Sequence, residues 1–147
     1  MRLLVQRVKE ASVEVDGEVV GEIGPGLLAF LGLHHGDTAQ QIPWMVNKLC
    51  GLRIFTDDNG KMNLSVQDAG WGILVVSQFT LYGDCSRGRR PSFIDALAGP
   101  EAEKLYGQFV EQLRKSHSPV QTGRFGASMA VSLVNDGPVT LWIEDVD

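Results

Sequence analysis

Ser77, Gln78 and Thr80 set a hydroxyl, an amide and a second hydroxyl directly after the apolar run Ile73–Val76. Polar groups at the end of a buried strand need partners, because desolvating an unpaired one is costly. One reading is a strand that leaves the core and turns polar. The other is a site whose missing partner is a substrate. Thr80 carries the hydroxyl of a nucleophile, but no base stands beside it in the sequence, and an unactivated hydroxyl is weak. The main-chain N–H groups of Phe79 and Thr80 offer a different chemistry, the stabilisation of a developing oxyanion. The apolar run predicts a strand over Ile73–Leu81. Ser77 and Phe79 would then share one face, and Gln78 and Thr80 the other.

A second segment, Asn135-Asp136-Gly137-Pro138-Val139-Thr140, lies between two strand-like runs, Phe125–Val134 and Val139–Ile143. Gly-Pro is the usual wording of a simple turn. The alternative is a cis bond, which before proline costs only about 0.5–1 kcal/mol. It would turn both carbonyls the same way and make a rigid pair of acceptors. The sequence leaves both readings open.

Arg87, Arg89 and Arg90 follow the first segment. They read either as a solvated basic loop or as a phosphate clamp beside a site. The chain as a whole has a net charge of −5, which argues against broad binding to nucleic-acid duplex through many Lys/Arg–phosphate contacts. A small contact with one end of an RNA remains compatible with it. Cys50 and Cys85 are the only cysteines and form no CxxC pair, which suits a reducing compartment. His34 and His35 are adjacent and His117 is isolated, so no metal-ligand spacing is present and no metal site is expected.

These candidates need a scaffold. A length of 147 residues, 44% hydrophobic and 21% charged, fits one globular domain over residues 1–147. No apolar stretch is long enough to span a bilayer, and the N-terminus meets charge too early for a signal peptide, so a cytoplasmic protein is expected. Leu3–Val15 reads as a strand, Asp16-Gly17 as a hairpin turn and Glu18–Ile23 as its return. Leu27–Leu33 suits a buried strand. Ile42, Met45, Val46 and Leu49 show helical spacing, with Pro43 in the first turn and Gly51 as the stop. Arg53–Phe55 and Met62–Val66 read as extended, around the turn Asp57–Gly60. Pro100 opens a second main helix with Leu105, Phe109 and Leu113 on one face, a core stripe or a dimer face. The expected class is α+β, with mostly antiparallel sheets forming a barrel-like core and two main helices packed outside.

The chain resembles the D-aminoacyl-tRNA deacylase (D-tyrosyl-tRNA deacylase) family along essentially its whole length. The resemblance rests on Gln6-Arg7-Val8, Ala11-Ser12-Val13, Arg53-Ile54-Phe55, Gly60-Lys61-Met62-Asn63 and Ser77-Gln78-Phe79-Thr80-Leu81. It continues through Arg90-Pro91-Ser92-Phe93, Gln121-Thr122-Gly123-Arg124-Phe125 and Asn135–Thr140. Each fragment is weak alone; their order and spacing are specific.

The resemblance implies a homodimer that hydrolyses the ester of D-aminoacyl-tRNA, and of glycyl-tRNA, without cofactor. It implies that Gly137 and Pro138, with a cis bond, enter the partner's pocket and capture the α-amino group, so that an L side chain clashes. Main-chain N–H groups near Phe79 and Thr80 would bind the ester carbonyl. Ser77 and Gln78 would contact substrate, and the 2′-OH of the terminal adenosine would help activate water. Phe125 and Met129 are pocket wall or core packing. Arg7 would hold the Gly-Pro loop. Two rivals are kept: a hydrolase with Thr80 as covalent nucleophile, and a non-catalytic RNA-end-binding or structural dimer. A relative in this group binds DNA through a basic C-terminal extension; the acidic end at Asp147 argues against that role here.

Overall fold

The computed structural model describes residues 1–145, so the acidic end at Asp147 lies outside the described residues. The long strand β1 (Arg2–Val15) organises the molecule. It pairs antiparallel with β2 (Glu18–Ile23) through its second half and with β3 (Gly26–Gly32) through its first. The β1–β2 hairpin turns at Asp16 and Gly17, both at positive φ (50° and 83°), as the Asp-Gly pair predicts. Helix α1 (Ile42–Gly51) follows, and its Pro43 sits in the first turn as expected.

A small hairpin, β4 (Phe55–Thr56) with β5 (Met62–Leu64), leads into the single turn of helix α2 (Val66–Ala69). The expected strands are shorter than drawn from sequence: Arg53 and Ile54 lie outside β4, and Val66 already begins α2. Ser65 caps that turn, exchanging hydrogen bonds with Asp68, and this ends the extended run. Strand β6 (Gly72–Ser77) pairs parallel with β3, and β7 (Val120–Thr122) pairs parallel with β6, after helix α3 (Gly99–Ser116). The last strand, β8 (Ala130–Glu144), runs antiparallel along the free edge of β1. At the far end β2 approaches β7, with the Thr122 carbonyl against Gly21. The sheet thus nearly closes on itself as a barrel, and the α+β architecture is the expected one.

Two apolar clusters result. Leu3, Val5, Leu27, Ile73 and Val75 pack beneath α1 and α3. Val8, Ala11, Val13, Val15, Leu28, Leu74 and Val76 fill the barrel. Leu105, Phe109 and Leu113 are buried in the first cluster, which decides the stripe on α3 for the core. The β1–β8 ladder shifts register around Val8, and there β1 exchanges the cluster its odd-numbered residues feed. Among the described residues no helix is long and apolar enough to cross a membrane.

Candidate active site

Two sequence expectations about local structure are corrected here. The strand predicted over Ile73–Leu81 stops at Ser77, and Phe79–Tyr82 forms a 3₁₀ turn. Leu81 N–H donates to the Gln78 carbonyl and Gly83 N–H to the Thr80 carbonyl, so the alternation of faces beyond Ser77 does not hold. The turn begins there because β3 runs out: Gln78 N–H donates to Leu31 O at 2.8 Å, beyond the last ladder pair Leu31–Ser77. Gly32 lets the turn lie flat on β3, since a Cβ there would sit 2.9 Å from Leu81 Cβ.

The second correction concerns the C-terminal motif. It does not separate two strands. Both flanks pair with β1 in the same sense, Gln6 opposite Thr140 and Val8 opposite Asn135. Asp136–Val139 therefore stand opposite Arg7 alone and are pushed out of the ladder as a bulge. Phe125 and Met129 precede β8, in a loop rather than on a strand.

The 3₁₀ turn presents useful chemistry. Its first internal hydrogen bond starts at Leu81, so the N–H groups of Phe79 and Thr80 lie ahead of it at the open end. Arg2 braces the turn from behind. Its Nη1 donates to Leu81 O at 2.8 Å, its Nε pairs with Glu144 at 3.0 Å, and its guanidinium lies 4.1 Å from the Tyr82 ring centre. Hydrogen bonds from Trp142 and Arg2 hold the Glu144 carboxyl below its ordinary range. The Thr80 hydroxyl accepts from the Gln78 side-chain amide. An amide N–H donor cannot take a proton, so this contact does not activate the hydroxyl.

Ser77, Gln78, Phe79, Phe125 and Met129 line one cavity of about 400 Å³. It opens where the two apolar clusters meet: Leu31, Leu33 and Ala102 belong to or flank one, Val76 and Val131 the other. The sequence reading missed its third wall, Leu97, Ala98, Gly99 and Ala102. That wall is the start of α3, which has no side-chain N-cap, so its uncapped first turn borders the cavity. The only local signal was Gly99-Pro100 as a helix start. The segment is hung on the stretch just after β3 by long-range bonds, Leu97 N–H to Leu33 O at 2.9 Å and His35 N–H to Asp95 O at 3.1 Å.

Thr80, Arg7, Gly137 and Pro138 are not among the lining residues. Gly137 and Pro138 are exposed on the bulge, and their peptide bond is cis, as is Ser118–Pro119. Arg7 is buried beneath the bulge, where Nε donates to Asp136 O at 3.1 Å and Nη1 to Ile54 O at 2.6 Å. Asn135 staples the bulge shut: Oδ1 accepts from Val139 N–H at 2.9 Å and Nδ2 donates to Thr140 Oγ1 at 2.9 Å. Gly137 has φ +132°, and a Cβ there would sit 2.9 Å from Arg7 Nη2. The side chains of Asn135 and Thr140 and the bare Cα of Gly137 thus each have a mechanical reason.

Among the described residues no group of three His, Cys, Asp or Glu is placed to hold a metal. His117 is buried, its Nε2 2.6 Å from Trp71 O, and works as part of the fold behind α3.

A family model described as D-Tyr-tRNA(Tyr) deacylase matches residues 4–144. The D-aminoacyl-tRNA deacylase of Clostridium acetobutylicum is 56% identical over 98% of this chain and 97% of its own. That of Protochlamydia amoebophila is 54% identical over 100% and 97%. Among solved structures, the c-Myc DNA unwinding element binding protein superposes with a TM-score of 0.95 at 43% identity over 100% of both chains. A probable eukaryotic D-amino acid tRNA deacylase matches in fold, with a TM-score of 0.82 at 20% identity over 97% of both chains. By sequence over nearly its whole length, and by the fold that sequence takes, this chain belongs to the D-Tyr-tRNA(Tyr) deacylase family.

Proposed function

We propose that the chain hydrolyses the ester joining a D-amino acid, or glycine, to the 3′ end of tRNA. The observation that carries this reading is the cavity that Ser77, Gln78 and Phe79 line where the 3₁₀ turn begins, in a chain of this family. The ester carbonyl lies against the N–H groups of Phe79 and Thr80. Water adds to the carbonyl carbon, and its negative charge gathers on the oxygen those donors face. One such donor is worth about 10²–10³ in rate. The terminal 2′-OH orients and polarises the water. The tetrahedral species collapses, the 3′ oxygen leaves with a proton, and free amino acid and tRNA result. Ser77 and Gln78 contact the substrate at the mouth, and Phe125 and Met129 wall the aminoacyl group. Thr80 is not the nucleophile in this reading, because the group bonded to its hydroxyl is an amide donor, which cannot take its proton. The reaction needs no metal or organic cofactor, and its substrate is met in the cytoplasm.

Selection between hands comes from a second copy of the chain. Gly137 and Pro138 of one protomer enter the cavity of the other, and their carbonyls take the α-amino group. An L side chain then points into main chain and is refused, whereas glycine has none to refuse. Support for this arrangement is that the motif stands exposed on a braced bulge, outside the cavity of its own chain.

Hydrolysis of D-Tyr-tRNA with L-Tyr-tRNA spared is the expected result; equal rates on both, or none on the D ester, removes the reading. Mixing two inactive variants tests the exchange between protomers. Gly137→Ala spoils the donated loop and Ala127→Trp fills the cavity. A one-to-one mixture that re-equilibrates should regain about a quarter of wild-type activity, since half the dimers then carry one intact site. No regain would place loop and cavity in the same protomer's service.

A further inference from the structure

Between two walls of the cavity the chain makes an excursion. Ser77–Phe79 forms one wall and Leu97–Gly99 another, with residues 84–92 projecting between them. The neck is closed by a reciprocal pair: Asp84 N–H donates to Ser92 O at 2.7 Å and Ser92 N–H to Asp84 O at 2.9 Å. The Asp84 carboxylate also accepts from Ser86 N–H at 2.9 Å. Phe93, just past the neck, packs edge to face on Phe79 with ring centres 5.2 Å apart. Both rings stay in contact with solvent, 39% and 53% exposed. The root of the hairpin is therefore pinned to the lip of the cavity.

Its tip carries Arg87, Arg89 and Arg90, all exposed. The ion pairs among the described residues use Arg2, Arg7, Lys115 and the N-terminal ammonium, and none of these three. Massing like charges on one short hairpin is unfavourable on its own account, and the chain around it is net acidic. A partner that supplies closely spaced anions offsets that cost. Guanidinium groups match phosphate in geometry as well as charge. Exposed aromatic rings beside arginines are the surface on which unpaired bases stack.

We propose that this hairpin grips the RNA strand. Arg87, Arg89 and Arg90 hold successive phosphates of the single-stranded 3′ end, and Phe93 stacks one of its bases, while the last nucleotide enters the cavity. The inference rests on the tRNA-ester reading above and adds to it where the RNA runs.

The test compares wild type with the triple variant R87A/R89A/R90A on D-Tyr-tRNA and on 3′-O-D-tyrosyl-adenosine, which has no phosphate. For the tRNA, KM should rise by about tenfold or more with kcat held. The phosphate-free ester should lose less than about twofold, since no phosphate contact is at stake. Three contacts on a single strand contribute about 2 to the slope of log affinity on log salt. Between about 50 and 200 mM salt, KM should thus climb roughly 20-fold more for wild type than for the variant. The triple lysine variant should keep most of the slope. An unchanged KM on tRNA, or an equal loss on both substrates, overturns the grip. Binding of uncharged tRNA by the same variants reads the grip without turnover. Salt-dependent binding lost in the alanine variant, with no hydrolysis by wild type, would keep the grip and sink only the ester reading.

Discussion

Arg7 meets Asp136 twice, with Nε donating to its carbonyl at 3.1 Å and lying 3.4 Å from its carboxylate Oδ2. The same guanidinium donates to Ile54 O, 47 residues from Arg7 in sequence. It is a buried strut between the segment after α1 and the root of the Gly137–Pro138 bulge.

Replacing that strut should loosen the bulge. In Arg7→Ala the Ile54 carbonyl loses its partner at a buried position, a loss of about 1–3 kcal/mol. Thermal unfolding should register it, and D-Tyr-tRNA hydrolysis should fall by more than about tenfold, since a misplaced binding group costs far more than its contact. Arg7→Lys should rescue only part of both, because one ammonium cannot reproduce the planar fork. Full hydrolysis by Arg7→Ala would detach the bulge from activity.

Gly137 is the position least able to accept a side chain. Its φ of +132° is a conformation L residues rarely adopt, and a Cβ would press on Arg7 Nη2 and Val139 Cγ2, each at 2.9 Å. Gly137→Ala should lower stability by about 1–3 kcal/mol and Tm by on the order of 5 °C. Hydrolysis should fall further than stability explains. A variant with wild-type Tm and turnover would show that the bulge tolerates what the geometry forbids.

Thr80 and the terminal ribose can be ranked directly. Substrate ending in 2′-deoxyadenosine should react about 10²–10⁴-fold more slowly, the range of a positioned proton-transfer group. Thr80→Ala removes only a hydroxyl held by Gln78 and should cost less than about tenfold in single-turnover rate. The reverse order would restore Thr80 as the nucleophile.

The two thiols should behave differently. Cys50 is buried, and burial pushes its thiol up to about 11, whereas Cys85 is exposed. Because only the thiolate attacks, a disulfide reagent at neutral pH should label Cys85 in the folded protein and reach Cys50 only on unfolding. The raised value also has a stability consequence. Above the ordinary thiol value of 9.0 the unfolded chain releases this proton while the folded chain keeps it. Stability should therefore decline as pH rises from about 9 to about 11, and Cys50→Ala should flatten that decline. Rapid labelling of Cys50 in the native state would contradict its burial.

Much of the scaffold is written in short-range pattern. The strand expected over Leu3–Val15 is β1, the Asp16-Gly17 turn joins it to β2, and α1 starts at Ile42 with Pro43 in its first turn. The helix expected from Pro100 is α3, with Leu105, Phe109 and Leu113 buried. Where the expectation erred, at Leu81 and at the C-terminal motif, the local sequence still favoured strand and turn. The end of β3 and the pairing of β8 with β1 overrode it. Ser77, Gln78, Phe79, Phe125 and Met129 were each named from sequence, but only the resemblance to the family offered the last two as wall of the pocket that the first three serve, with core packing as the alternative.

By itself the sequence determined most of the elements, the family and the residue types available for chemistry, because periodicity, caps and turns are decided among near neighbours in the chain. The tertiary structure decided how Ser77 and Met129 come to share a cavity and how Arg7 lies beneath Gly137, which the resemblance only implied, and it alone decided that the start of α3 closes the third side. Those relations depend on strand register and on contacts between distant segments. Four residues of β8 stand opposite one of β1 only because both flanks of the motif pair with the same strand, and no local preference encodes that count.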